Sequence, residues 1–313
     1  PTSSSNTPCL VATLFCPHHH KPQLSTPFPP PTSSNFVGYL EAAGASTVTA
    51  QLAVAWAQLP GQGAHPSYLG KRLCVVRGFA RHLAAFDPAT EVPSADLLHW
   101  QECRATPYIY SAADIAALMG AARSLKPQLR AATYETLIGL LKVTGARVGE
   151  LISLDRDDVD LDDGVLVIRY TKFNKSRELP LHASTVEALK AYAAVRDRLC
   201  PRPKAASFFV STVGERLVYV TVQQAFSRIT GDAGLQARSK RCRPRLHDIR
   251  HSFACTSLLG FYRNGVDVQA HLPLLSTYMG HARPENTYWY LSAIPELMSL
   301  AAQRREQTAR RRP

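Results

Sequence analysis

The sequence is poor in features that mark several whole classes of protein. Across its 313 residues no apolar run approaches the roughly 18 uninterrupted residues that a membrane-spanning helix needs, so no membrane partner is expected and the chain should work in an aqueous compartment. Its seven cysteines, at 9, 16, 74, 103, 200, 242 and 255, are odd in number and form no C-x-x-C pair. That spacing argues against a disulfide frame, a zinc site or a thiol enzyme, and for reduced thiols in a cytosolic setting. Acidic residues are outnumbered, 24 Asp and Glu against 36 Lys and Arg, and no carboxylates are spaced to hold Mg²⁺, so neither metal nor cofactor is expected. The chain opens on Pro1 without an initiator Met, so the first residue is not expected to be a translation start. The charge order and apolar centre of a secretory signal are missing there.

What is present is a soluble globular composition, 45% hydrophobic and 19% charged, long enough for two domains that each bury a core. The formal net charge of +12 favours a polyanionic partner, because each phosphate neutralised by Lys or Arg releases counterions. Solvated surface charge alone would give the same total.

Residues 1–34 are rich in Pro, Ser and Thr and read as a disordered lead-in. The His18 to His20 run beside Cys16 reads as an adventitious cluster, and no site is assigned to it. Residues 35–98 read as a small helical domain with an incomplete or altered front end. NFVGYLEAAGA stops at Gly44, STVTAQLAVAWAQL starts on a Ser or Thr cap, and Pro66 to Ala85 forms a third helix. On that helix Lys71, Arg72, Arg77 and Arg81 lie off the apolar stripe. They form either a solvated face or a face laid along a nucleic acid. Residues 99–107 read as a linker.

The second domain, 108–300, begins with a helix capped at Ser111 and continues with RAATYETLIGLLKVTG, where Gly145 suits a left-handed C-terminal cap. Arg147 opens the next short helix, with Glu150 three residues on and able to orient its guanidinium. The acidic run DRDDVDLDDG reads as a solvated turn. VLVIRY and SRELPL read as a β-hairpin with Lys172 near its tip. Helices are expected over ASTVEALKAYAAVRDRL and YVTVQQAFSRITGDAGL, with SFFV a short strand between them. ARSKRCRPR places Arg238, Lys240, Arg241, Arg243 and Arg245 just ahead of HDIRHSFA, as a solvated loop or a backbone-binding one. His247 and Arg250 lie in HDIRHSFA. LPLLSTYMGHARPENTYWYL adds His281 and a Tyr-Trp-Tyr cluster ending at Tyr290. ELMSLAAQ then reads as a short apolar helix, and 301–313 as a basic tail. The fold class is therefore mainly α with a small antiparallel sheet, α+β.

Each of these residues has an ordinary role open to it: an ion pair for either arginine, a satisfied core position for either histidine, a turn for Lys172, packing for Tyr288 and Trp289. As a set they resemble the tyrosine recombinases, the phage integrase family, over 108–300 and, less fully, over the helical domain before it. TGARVGEL matches at Arg147, TKFNKSRELPL at Lys172, H-x-x-R at His247 and Arg250, and STYMGH at His281, with Tyr290 nine positions beyond. The resemblance implies a site-specific recombinase acting on double-stranded DNA through a 3′-phosphotyrosine on Tyr290, without metal. Arg147, Arg250 and His281 would hold the phosphate, Lys172 would protonate the leaving oxygen, His247 would assist proton removal, and Glu150 would orient Arg147. It also implies a C-shaped clamp, a homotetramer on two DNA sites linked through exchanged C-terminal segments, and a cytoplasmic, nucleoid-associated protein. The family's helical domain starts with a further helix, and 1–34 do not read as one. A type IB topoisomerase-like enzyme and an inactive DNA-binding relative remain the alternatives at this point.

Overall fold

The computed structural model describes residues 31–98, 105–171 and 175–281, with Thr287. The chain divides between Arg104 and Ala105 into two compact units.

The N-terminal unit packs three helices, α1 (Ser33–Ala42), α2 (Ala50–Gln58) and α3 (Pro66–Leu83). The first helix starts two residues ahead of the expected 35, because the Thr32 hydroxyl caps it by accepting from Asn35 N–H. Thr49 caps α2 in the same way, and Pro66 sits at the permissive first position of α3. Apolar residues at helical spacing then meet in one core: Phe36 and Leu40, Trp56 and Ala57, Leu73, Val76 and Phe79. Phe36 meets the Trp56 ring edge to face at 5.3 Å.

The C-terminal unit runs α4 (Ala112–Arg123), α5 (Gln128–Thr144), α6 (Val148–Ile152), β1 (Val159–Asp160), β2 (Val165–Thr171), β3 (Lys175–Pro180), α7 (Ala183–Leu199), α8 (Tyr219–Asp232), α9 (Asp248–Arg263) and α10 (Val268–Met279). The sheet is antiparallel in the order β1-β2-β3, with Leu166 facing Leu179 and Ile168 facing Arg177. Leu166, Ile168 and Leu179 are buried on one face, against a core that includes Leu137, Leu141, Leu151, Phe208 and Phe209. A second cluster, with Cys255, Leu258, Leu272, Leu275 and Met279, joins α9 to α10.

Two local expectations need correcting. SFFV forms no strand: Ser207 and Val210 make only isolated bridges, to Asp155 and Arg216. Phe208 and Phe209 instead sit side by side in the core, so both faces of the segment are buried without a ladder. The acidic run is more than a solvated turn. Asp155 accepts from Arg216, Asp158 is buried and paired with Arg169, and the Asp155 N–H donates to Asp158 at 3.0 Å. Two residues of that run form β1. Among the described residues no helix is long and apolar enough to cross a membrane.

Candidate active site

Two glycine-ended helices set the site. Gly145 ends α5 at φ 58° and Gly280 ends α10 at φ 66°, in the left-handed region that glycine enters without a Cβ penalty. Neither position has room for a side chain. A Cβ at Gly145 would lie 2.2 Å from the Phe253 ring, and one at Gly280 would lie 2.5 Å from Arg177 Nη1. After the α10 turn the His281 N–H donates back to the Ser276 carbonyl at 2.9 Å, which pins the histidine backbone to the helix end.

The last carbonyls of a helix lack intrahelical partners and carry the negative end of its dipole. Here three successive carbonyls are each taken by a different arginine. Arg177 Nε on β3 donates to Tyr278 O at 3.0 Å. Arg250 Nη2 on α9 donates to Met279 O at 2.7 Å, and Arg147 Nη2, at the cap of α6, donates to Gly280 O at 3.0 Å. Arg250 also reaches across to the other helix end, donating through Nη1 to Gly145 O at 2.6 Å. The two arginines singled out in the sequence, 103 residues apart by number, are thus held on one helix terminus.

Glu150 fixes Arg147 from the other side. Its carboxylate accepts from Arg147 Nη1 at 2.7 Å and from the Arg147 backbone N–H at 2.9 Å. It also accepts from Arg177 through two nitrogens, at 3.1 and 2.7 Å. Burial pushes this carboxyl upward, but the Arg177 hydrogen bonds and charge, with those of Arg147, outweigh it and hold the group below its ordinary range. Arg147 keeps a side chain 36% exposed, whereas Arg250 is 3% exposed.

Three imidazoles complete the cluster. Burial first, and then the charges of Arg250 and Arg147, lower His247 to about 4 and His281 to about 3. Burial and the neighbouring His247 lower His251 to about 3, and the two rings meet edge to face at 4.9 Å. All three are therefore neutral at pH 7, able to accept a proton on one nitrogen or donate from the other. The His281 Nδ1 is 2.7 Å from the hydroxyl of Thr287, which is fully buried.

A basic, partly buried cradle of this kind binds an anion and stabilises negative charge that grows on it. The phage integrase family model matches residues 110–296, and these include every residue of the cradle. The chain belongs to the phage integrase family, the tyrosine recombinases.

It is 43% identical over 279 residues to y4rB of Sinorhizobium fredii, a protein named as an integrase/recombinase, covering 87% of this chain and 88% of that one. To the tyrosine recombinase XerC of Alcanivorax borkumensis it is 30% identical over 234 residues, covering 75% and 71%. Its fold is similar to that of the XerH site-specific recombinase, solved in a post-cleavage complex with palindromic difH substrate. The TM-score is 0.62 at 19% identity, over 85% of this chain and 76% of that one. The chain is a site-specific recombinase of mainly α fold with one small antiparallel sheet.

The structure brings Arg147, Glu150, His247, Arg250 and His281 together. Lys172 and Tyr290 lie outside the described residues, as do Tyr288 and Trp289. Sequence reasoning missed Arg177, His251 and Thr287. Arg177 had a signal: it shares a strand face with buried Leu179, an inward position that a charge takes only with partners.

The basic side chains offered as nucleic-acid contacts divide. Arg72 is a correction: it is buried at 8% exposure, lies 3.7 Å over the Trp56 ring and donates twice to the Trp56 carbonyl, so it serves the core. Arg77 donates to Pro93 and Ser94 carbonyls, both at 2.9 Å. Arg238 lies 4.3 Å over the Tyr108 ring and bonds the Ile109 carbonyl, and Arg245 pairs through two nitrogens with buried Asp248. Lys71, Arg81, Lys240, Arg241 and Arg243 are exposed.

Proposed function

We propose that this recombinase cuts and rejoins double-stranded DNA through a 3′-phosphotyrosine on Tyr290. The observation that carries this reading is the convergence of Arg147, Arg250 and His281 on the end of α10, nine residues before that tyrosine. The Tyr290 oxygen forms a bond to a backbone phosphorus while the bond to the 5′-oxygen breaks. The phenol proton passes to neutral His247, and Lys172 supplies a proton to the departing 5′-oxygen. Arg147, Arg250 and His281 hold the two non-bridging oxygens, where charge builds in the transition state. Religation is the same sequence reversed, with a partner strand's 5′-hydroxyl as nucleophile. Because the phosphoryl bond energy is retained, no external energy source is required.

Exchange between two duplexes needs four strand cuts, and one nucleophile per chain calls for four protomers on two sites. In this reading residues 35–98 form the core-binding domain, 108–300 the catalytic one, and the exposed cations Lys71, Arg81, Lys240, Arg241 and Arg243 engage DNA backbone. The protein works where the chromosome lies, in the cytoplasm on the nucleoid.

A pool of nicked duplexes with one randomised arm tests the proposal. After incubation, denaturing electrophoresis should show a protein–DNA adduct whose recovered duplexes share a sequence, and Tyr290→Phe should abolish it. An adduct that survives Tyr290→Phe would move the nucleophile elsewhere, with Tyr288 the first suspect. No adduct from the folded wild-type chain would overturn the reading.

A further inference from the structure

The phosphate cradle has a third arginine, Arg177, which shares Glu150 with Arg147 and the end of α10 with both Arg147 and Arg250. Arg177 grips Glu150 through both terminal nitrogens and donates its Nε–H to the Tyr278 carbonyl. It is half-buried on β3, paired across the ladder with Ile168 on β2. Gly280 leaves the space it fills, since a Cβ there would lie 2.5 Å from Nη1 and 2.8 Å from Cζ.

The division of Glu150 between two guanidinium groups has a chemical consequence. A carboxylate beside a single arginine takes it in a bidentate fork, the strongest arrangement open to that pair. Here Arg177 occupies the fork. Besides its backbone N–H, Arg147 gives the carboxylate one terminal guanidinium nitrogen, gives the other to Gly280 O, and makes no described contact through Nε. Three guanidinium charges with one carboxylate also leave the cluster net positive by two. Without Arg177 that excess falls to one, while the remaining carboxylate is free to turn its whole face to Arg147.

We propose that Arg177 is a positioning residue for DNA cleavage: it holds Glu150 in a fork so that Glu150 orients Arg147 without capturing it, and keeps the Arg147 guanidinium available to the phosphate. The inference rests on the recombinase reading above. It makes Glu150 harmful once Arg177 is gone, which a purely structural role for Arg177 does not.

The test uses the full chain and a nicked duplex recovered from the randomised pool by the wild-type protein. The rate of adduct formation at saturating protein and the half-saturation concentration are measured for wild type, Glu150→Gln, Arg177→Gln and the double variant, each checked for a cooperative thermal transition. Arg177→Gln should slow adduct formation about 100-fold with little change in half-saturation. Adding Glu150→Gln should recover about tenfold of that loss, because a neutral amide cannot hold Arg147 in an ion-paired fork. If Arg177→Gln does not fold, Arg177→Lys replaces it in both single and double variants, since a lysine keeps the charge but not the fork. A folded Arg177 variant that cleaves at the wild-type rate overturns the proposal, as does a double variant no faster than the single one. A wild-type chain that recovers no duplex sinks the recombinase reading and this inference with it.

Discussion

Arg72 in the N-terminal unit and Arg250 in the C-terminal unit are both buried arginines that donate two hydrogen bonds to main-chain carbonyls. They differ in what those bonds join. Arg72 sends two nitrogens to the single carbonyl of Trp56 and covers the same residue's ring, so its interactions close locally within one three-helix core. Arg250 joins the ends of two helices, at Gly145 and Met279, and shares the second with Arg147 and Arg177. Burial of an arginine therefore says little by itself. Convergence of several cations, from separate parts of the chain, on groups too few to neutralise them is what marks an anion site.

The comparison can be broken by experiment. The largest effect is expected for Arg147→Ala, which removes the more exposed member of the cradle. Adduct formation should slow by about 10²–10³-fold, or about 2.7–4 kcal/mol of barrier, while retention of the duplex in a mobility shift stays nearly intact. Equal loss of retention and cleavage would assign Arg147 a structural role and erase the distinction. Arg72→Ala should do the reverse. Losing the cation over the Trp56 ring and its two hydrogen bonds should cost about 1–2 kcal/mol of stability in a urea titration, with the cleavage rate of the folded fraction unchanged. A cleavage defect at full stability would place Arg72 in the chemistry after all.

The smallest effect is a pH dependence confined to the C-terminal unit. His247, at about 4, and His251 and His281, at about 3, bind protons less readily in the folded chain than their ordinary value of 6.5 allows. The unfolded chain therefore takes up protons near pH 6.5 that the folded chain refuses. Stability from these groups is complete above that value and is lost as the pH falls toward about 4 for His247 and about 3 for His251 and His281. Glu150, lowered from its ordinary 4.5, adds its own loss at the acid end, as the pH falls through that value. A bound phosphate should raise the three histidines and flatten the decline. The melting midpoint should thus fall between pH 7 and 5 for the free protein and fall less with the selected duplex present. A flat free-protein profile would mean the rings are not held neutral.

Much of the candidate site was legible in the sequence because short motifs sit at helix ends, where caps announce themselves. Gly145 after TYETLIGLLKVT signalled a left-handed turn, and Arg147 followed it at the cap of α6. Glu150 was readable as its partner because residues three apart share a helix face. Arg177 was passed over because strand polarity suggested only a returning hairpin, and the bond to Tyr278 spans 101 residues that no local pattern connects. Arg72 was misplaced for the same reason: a cation beside an apolar stripe looks solvated until the ring of another helix is found under it. SFFV had the composition of a strand but makes only isolated bridges, at Ser207 and Val210, and no ladder, while Phe208 and Phe209 fill the core.

The order of residues alone determined which groups could meet a phosphate, where the helices would stop, and which family the chain belongs to, because each depends on side-chain chemistry and spacing within a few turns. Only the folded chain decided that three arginines would share one helix end and that Glu150 would be divided between two of them. Those arrangements depend on unpaired carbonyls and on the room left by Gly145 and Gly280, which exist only once distant segments have packed.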